Sequence, residues 1–298
     1  MNSHQAGPTL FGGLAADMRG LHQESFTGAL LVFGPPDTTL HFRDGLLVAA
    51  QTPGAPGPDT LLLRSGAVPG RTWAPVREHA LTTGDLGAEL RTGGHVSGAL
   101  LELTLVRALL DGVFVLGLSP SNRGGEVRPG APPPPLFLAE GREPGWAVQE
   151  AARRHGAIER LWGPPADLAR LRPVAAAPPE KAPSAAHRDL LARADGRRTP
   201  RDLAFVLGRD VSGAMIDLAR LAATGLVDTG TRRSEGGLTR RLPERKRTAP
   251  EAGPLTKRRP GTSGMRPAPR ADSALSPKLA ARLSASLRNP GDGGGGDG

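Results

Sequence analysis

From Gly230 to Gly298 the sequence contains no Val, Ile, Phe or Trp. A segment without these side chains cannot bury enough apolar surface to offset chain entropy. Residues 230–298 are therefore expected to be a disordered tail, and folding is confined to what precedes them. Charge follows the same divide. The net charge is +9, and the tail holds fifteen Lys/Arg against six Asp/Glu, while Met1–Thr229 carries twenty-three of each. A neutral body with a basic tail argues against a broadly basic DNA-binding surface.

Other classes fall away on composition. With no cysteine there is no disulfide, thiolate zinc site, iron–sulfur cluster or cysteine nucleophile. No apolar run approaches the ~20 residues of a membrane helix. Met1-Asn2-Ser3-His4-Gln5 shows no basic region leading into an apolar stretch, so a cytoplasmic protein is the expectation. No Gly-Lys pair occurs, which excludes a Gly-Lys-Ser/Thr phosphate loop. The seven histidines are scattered, with none paired at metal-ligand spacing. Neither a cofactor nor a catalytic constellation is expected.

Proline and glycine divide the body. Residues 119–143 and 163–183 read as Pro-rich linkers. They separate an α/β module at 8–118, a connecting helix at 144–162 and a helical module at 184–229. In the first module, Leu10, Leu14, Met18 and Leu21 recur at helical spacing after Thr9, a candidate N-cap. Residues 26–33 read as a buried strand. Thr38–Arg43 alternates and Leu46–Ala50 is apolar, with Asp44-Gly45 between them. Asp-Gly between two strand-like runs predicts a two-residue hairpin turn. Pro58-Asp59 opens a short helix. Ser97 caps a longer one, with Leu100, Leu103, Val106 and Leu110 as its core stripe. Asp111-Gly112 is expected to end that helix, and Val113–Leu118 to form a last strand. In the connecting helix, Trp146, Ile158 and Trp162 are expected to share a packing face. Glu150, Arg154 and His155 are expected to share a solvated one.

In the second module, Leu190 and Leu191 lie on a first helix. Thr199-Pro200 starts a second, with Leu203, Val206 and Leu207 inward. A third runs from about Val211 to Thr224, with Met215, Leu218, Leu221 and Ala222 inward, and Gly225 ends it. Helix, short turn, helix, then Gly-Leu-Val predicts a winged helix-turn-helix. The fold class expected is α+β, with a small mixed domain followed by the winged helix and the tail.

Several of these residues carry a family resemblance. Thr27-Gly28-Ala29-Leu30, then Phe42-Arg43-Asp44-Gly45-Leu46-Leu47-Val48-Ala49-Ala50, then Leu86-Gly87-Ala88-Glu89-Leu90 resemble the PATAN domain of bacterial signalling proteins. Asp195-Gly196-Arg197-Arg198-Thr199, Leu203-Ala204 and Gly225-Leu226-Val227 are similar to the winged-helix end of such proteins. The resemblance implies a non-enzymatic adaptor. It also implies protein partners, namely small Ras-like GTPases or roadblock-type regulators.

The alternative is a transcriptional regulator binding DNA through the winged helix and tail. Its candidate contacts are Arg197, Arg198, Arg201, Arg220, Arg232 and Arg233, which suit phosphates rather than base edges. The third helix of the module carries only Asp217 and Arg220 as charges and has no Asn or Gln, a poor set for reading bases. In the tail, Leu275, Leu279, Leu283 and Leu287 recur every four residues behind Ser276-Pro277. That spacing makes a candidate partner-binding helix, marginal when free.

Overall fold

The structure, a computed structural model, describes residues 11–119 and 125–229. Helix α1 (Gly12–Gln23) buries Leu14, Met18 and Leu21 along one stripe; Thr9 and Leu10 lie outside the described residues. Strands β1 (Gly28–Val32), β2 (Thr38–Arg43) and β3 (Leu46–Gln51) follow as an antiparallel meander. Leu30, Val32, Leu40, Phe42 and Leu47 join the core. Asp44 and Gly45 form the β2–β3 turn with φ of 50° and 76°, the geometry that right-handed strand twist favours in two-residue hairpins. The turn is packed as well as bent. Asp44 N–H donates to Thr27 Oγ1 at 2.9 Å, Gly45 N–H to Phe26 O at 2.9 Å, and His22 Nδ1–H to Gly45 O at 2.9 Å.

Four helices complete the first part: α2 (Pro58–Arg64), α3 (Gly70–Thr83), α4 (Leu86–Thr92) and α5 (Gly98–Leu116). Asp85 and Ser97 cap the last two, accepting from Ala88 N–H and Leu100 N–H. Helix α5 overturns two expectations. It does not stop at Asp111-Gly112, and residues 113–116 are helical rather than extended. The Asp-Gly pair serves tertiary contacts instead. Asp111 is 1% exposed, and a Cβ on Gly112 would come within 2.6 Å of the Ala50 side chain. The core stripe is also displaced: Leu101, Leu105 and Leu109 are buried, whereas Leu100 and Leu103 are 41% and 54% exposed.

The two Pro-rich stretches are structured in large part. Residues 125–129 form β4, which pairs antiparallel with β1 and gives the sheet order β3-β2-β1-β4. Downstream the chain returns to the edge of β3, where Arg142 and Leu47 exchange backbone hydrogen bonds of 2.8 and 2.9 Å. Helix α6 (Pro144–Leu161) then lies against α1 and α5. Its buried face is Ala147, Ala151, His155 and Ile158; Trp146, expected inward, is 40% exposed. His155 is not on a solvated face. Its Nε2–H donates to Phe114 O at 2.9 Å, its ring packs on Phe11 and Phe114, and burial pushes its pKa down.

The second stretch contributes α7 (Pro165–Arg170), β5 (Val174–Ala175) and a 3₁₀ turn at Pro179–Lys181. Then come α8 (Ala185–Leu191), α9 (Pro200–Leu207), α10 (Val211–Ala223) and β6 (Val227–Asp228), which pairs antiparallel with β5. Thr199 and Asp202 form a reciprocal capping box at the start of α9. Gly208 ends it left-handed, so close to α2 that an added Cβ would lie 2.4 Å from Arg64 Cβ. Val206, expected inward, is 43% exposed. The fold is α+β, and the segments at 8–118, 144–162 and 184–229 share one hydrophobic core over their described residues. The tail and its leucine stripe lie outside the described residues.

Replacing Gly45 with valine places a β-branched residue at positive φ and drives its Cβ to within 2.5 Å of His22 O. The expected cost is about 2–4 kcal/mol, read as a lowered midpoint in urea. An unchanged midpoint would refute the role assigned to this turn.

Candidate functional site

Two places concentrate chemistry. The first is the seam between α10 and the α5–α6 pair. Asp111 projects from α5 to the start of α10, where its Oδ2 and Oδ1 accept from Val211 N–H at 2.6 Å and Ser212 N–H at 2.9 Å. Asp210, the N-cap of α10, accepts from Gly213 N–H at 2.9 Å and forms an ion pair with Arg107 of α5. Glu150 on α6 holds Arg153 and Arg154, and Arg154 donates to Ser212 Oγ at 2.8 Å. Of the expected solvated face, Glu150 and Arg154 thus join this seam, while His155 packs on Phe11 and Phe114.

The electrostatics match the geometry. Glu150 is held down at about 2, chiefly by its hydrogen bond to Arg153. Asp111 moves the other way. Burial first, then the nearby Asp210 carboxylate, push it up to about 6, against two amide donors that favour its charged form. These groups bind a helix end rather than a substrate.

The second place is an open cleft of about 910 Å³. Its floor is apolar, with Val48, Leu86, Leu105, Leu109 and Leu136. Trp73 and Arg77, one turn apart on α3, form one wall, and Arg201 and Phe205 of α9 form another. Arg201 donates to Pro53 O at 2.6 Å while its guanidinium lies 5.6 Å from the Phe205 ring centre. An apolar floor with polar groups around it is a common form of binding site.

Four of the sequence-predicted DNA contacts lie among the described residues, each with a partner within the fold. Arg201 lines the cleft. Arg198 bonds Asp195 at 2.8 Å, Arg220 lies 3.4 Å from Asp217, and the Arg197 carbonyl accepts from Arg172. Arg232 and Arg233 lie outside the described residues. Ser184, His187 and Asp217 form a line, with Ser184 Oγ 2.8 Å from His187 Nδ1 and His187 Nε2 3.4 Å from Asp217. The arrangement superficially resembles a hydrolytic triad. Ser184 however caps α8, Arg209 and Arg220 hold Asp217, and none of the three residues lines the main cleft. Among the described residues, no helix is long and apolar enough to cross a membrane and no cluster of metal-ligating side chains occurs.

The cleft was missed in the sequence because its walls come from segments some 150 positions apart, as in the Arg201–Pro53 contact. Trp73 and Arg77 were the available signal: an aromatic and a cation one helical turn apart, on a helix not anticipated at Gly70–Thr83. No protein-family model, curated protein or solved structure matches the chain.

The seam yields a pH test. The folded pKa of Asp111 lies above its ordinary value of 3.8, so protonation favours the native state. That stability is full below about pH 4 and is lost as pH rises through about 6. Glu150 has the opposite sign, so wild type should be compared with Asp111→Asn, which cannot titrate. The stability difference between them is expected to fall by about 3 kcal/mol from pH 4 to pH 7. A flat difference would show that Asp111 is not the buried titrating group.

Proposed function

We propose that this chain is a non-enzymatic signalling adaptor that binds regulatory proteins through its PATAN-like α/β part. The observation that carries the reading is the burial of the α10 N-terminus. In a helix-turn-helix that reads DNA, this end of the recognition helix approaches base edges. Here its first amides are consumed by Asp111, and Val211, Ser212, Ala214 and Met215 are buried. The helix can enter a major groove only if the seam is dismantled. The winged-helix-like segment then serves as a buttress for the α/β part and supplies one wall of its cleft. The cleft, by contrast, is open and lined for contact. The family resemblance adds the partner class: small Ras-like GTPases or roadblock-type regulators of the cytoplasm.

The rival, DNA binding through the helical segment and the basic tail, rests on charge. Affinity capture from the native cytoplasm, with and without nuclease, separates the two. Protein partners that persist after nuclease support the adaptor, whereas recovered DNA fragments sharing a sequence support the regulator. A deletion of residues 231–298 sharpens the result. It removes the charge excess, so nonspecific duplex binding is expected to drop at least tenfold at low salt. Unchanged affinity and salt slope in the truncated chain would place DNA binding in the body and overturn the adaptor reading.

A further inference from the structure

The cleft runs along an edge of the sheet, and backbone register shows what that edge offers. In a two-residue hairpin the residues flanking the turn, Arg43 and Leu46, form a hydrogen-bonded pair, and pairs then alternate. Phe42 and Leu47 are therefore not hydrogen-bonded to each other, and Leu47 turns its N–H and C=O outward. Both groups are used: they exchange bonds with Arg142, and Val48 O accepts from Leu138 N–H at 2.9 Å. The irregularity at His41/Phe42 lets β3 carry one extra residue, so that His41 pairs with Ala49, Leu40 with Ala50 and Thr39 with Gln51. Alternation then turns the N–H and C=O of Ala50 outward. No described residue takes them up, and Ala50 lines the cleft.

The edge of β3 is thus half covered. The chain's own segment at 138–142 bonds Leu47 and Val48, and Pro134, Pro135 and Leu136 just before it line the cleft. What remains is one unpaired donor and acceptor in an apolar-floored cleft that Trp73 also lines. Four charged side chains line the cleft; Asp37 accepts from Gly34 N–H and Arg201 donates to Pro53 O, whereas Arg77 on α3 and Asp59 on α2 have no hydrogen-bond or ion-pair partner among the described residues.

We infer that the cleft binds an extended peptide segment of a partner protein, added as a strand beside Ala50 in continuation of the segment at 138–142. The segment carries apolar side chains at alternate positions for the floor. It carries a carboxylate for Arg77 and a cation for Asp59, which together set its direction. This rests on the adaptor reading and specifies its partner surface.

The test pans a random linear peptide library against the full-length protein. Selected peptides are expected to alternate apolar residues and to include an acidic one. Arg77→Glu, a substitution at an exposed position, should weaken them at least tenfold, and Trp73→Ala should do the same. Bound peptide should slow amide hydrogen exchange at Ala50. A library that yields no binder, binders indifferent to Arg77→Glu, or unchanged exchange at Ala50 would overturn the inference. A protein partner captured equally by wild type and Arg77→Glu would also overturn it, yet would leave the adaptor reading standing. Failure of the adaptor reading itself would appear as DNA recovery without protein partners.

Discussion

A carboxylate buried at the start of a helix joins the two ends of this fold. Asp111 sits two-thirds of the way along α5, inside the core, and satisfies two amides of α10 a hundred residues later. Helix N-termini expose amide donors that require acceptors, and a buried one without them is costly. A single buried carboxylate answers that requirement, and beside it Arg107 pairs with the Asp210 carboxylate. Once α10 is fixed in this way, α9 is held against α2, and Gly208 allows the close approach. Arg201 then reaches Pro53, and the cleft acquires its second wall.

The same residue explains where sequence reasoning went astray. Asp111-Gly112 has the same letters as Asp44-Gly45, and locally both invite a turn. At 44–45 the backbone adopts positive φ and the chain reverses. At 111–112 the backbone stays helical, because Asp111 is needed by α10 and Gly112 by the approach of Ala50. No local property separates the two cases; the partners that decide lie far away in the chain. The exposed stripe of α5 has a related origin. With apolar residues on nearly every face, a stripe through Leu100 and Leu103 fits helical spacing as well as Leu101–Leu105–Leu109 does; only the packed neighbours choose, and of the expected stripe they bury Leu110.

The hairpin, the caps at Ser97 and Thr199 and the left-handed glycine at 225 were legible, since each is set by chemistry within a few residues. β4 was not, because its Gly-Glu-Val-Arg-Pro sequence is exposed throughout and lacks an apolar face. Its place comes from the open edge of β1, which offers hydrogen bonds to any extended neighbour. The cleft was illegible for the same kind of reason: Trp73, Ala50 and Phe205 say nothing jointly until the fold brings them together.

That edge logic links the architecture to its proposed use. Exposed sheet edges are open to further pairing unless something covers them. Here β4 covers β1 on one side, and the segment at 138–142 covers the first half of β3 on the other. Both covering segments come from the Pro-rich stretch between α5 and α6, whose residues cannot build a core of their own but can lie extended along a strand. The stretch ends its cover where Pro134 and Pro135 turn it into the cleft wall. A short length of strand is left open in a cleft that Trp73 lines, where Arg77 and Asp59 have no partner among the described residues. A protein protecting itself against edge pairing would extend the cover by two residues. Leaving the gap at the cleft, and buttressing it with the helical segment at 184–229, fits the proposed surface for another chain.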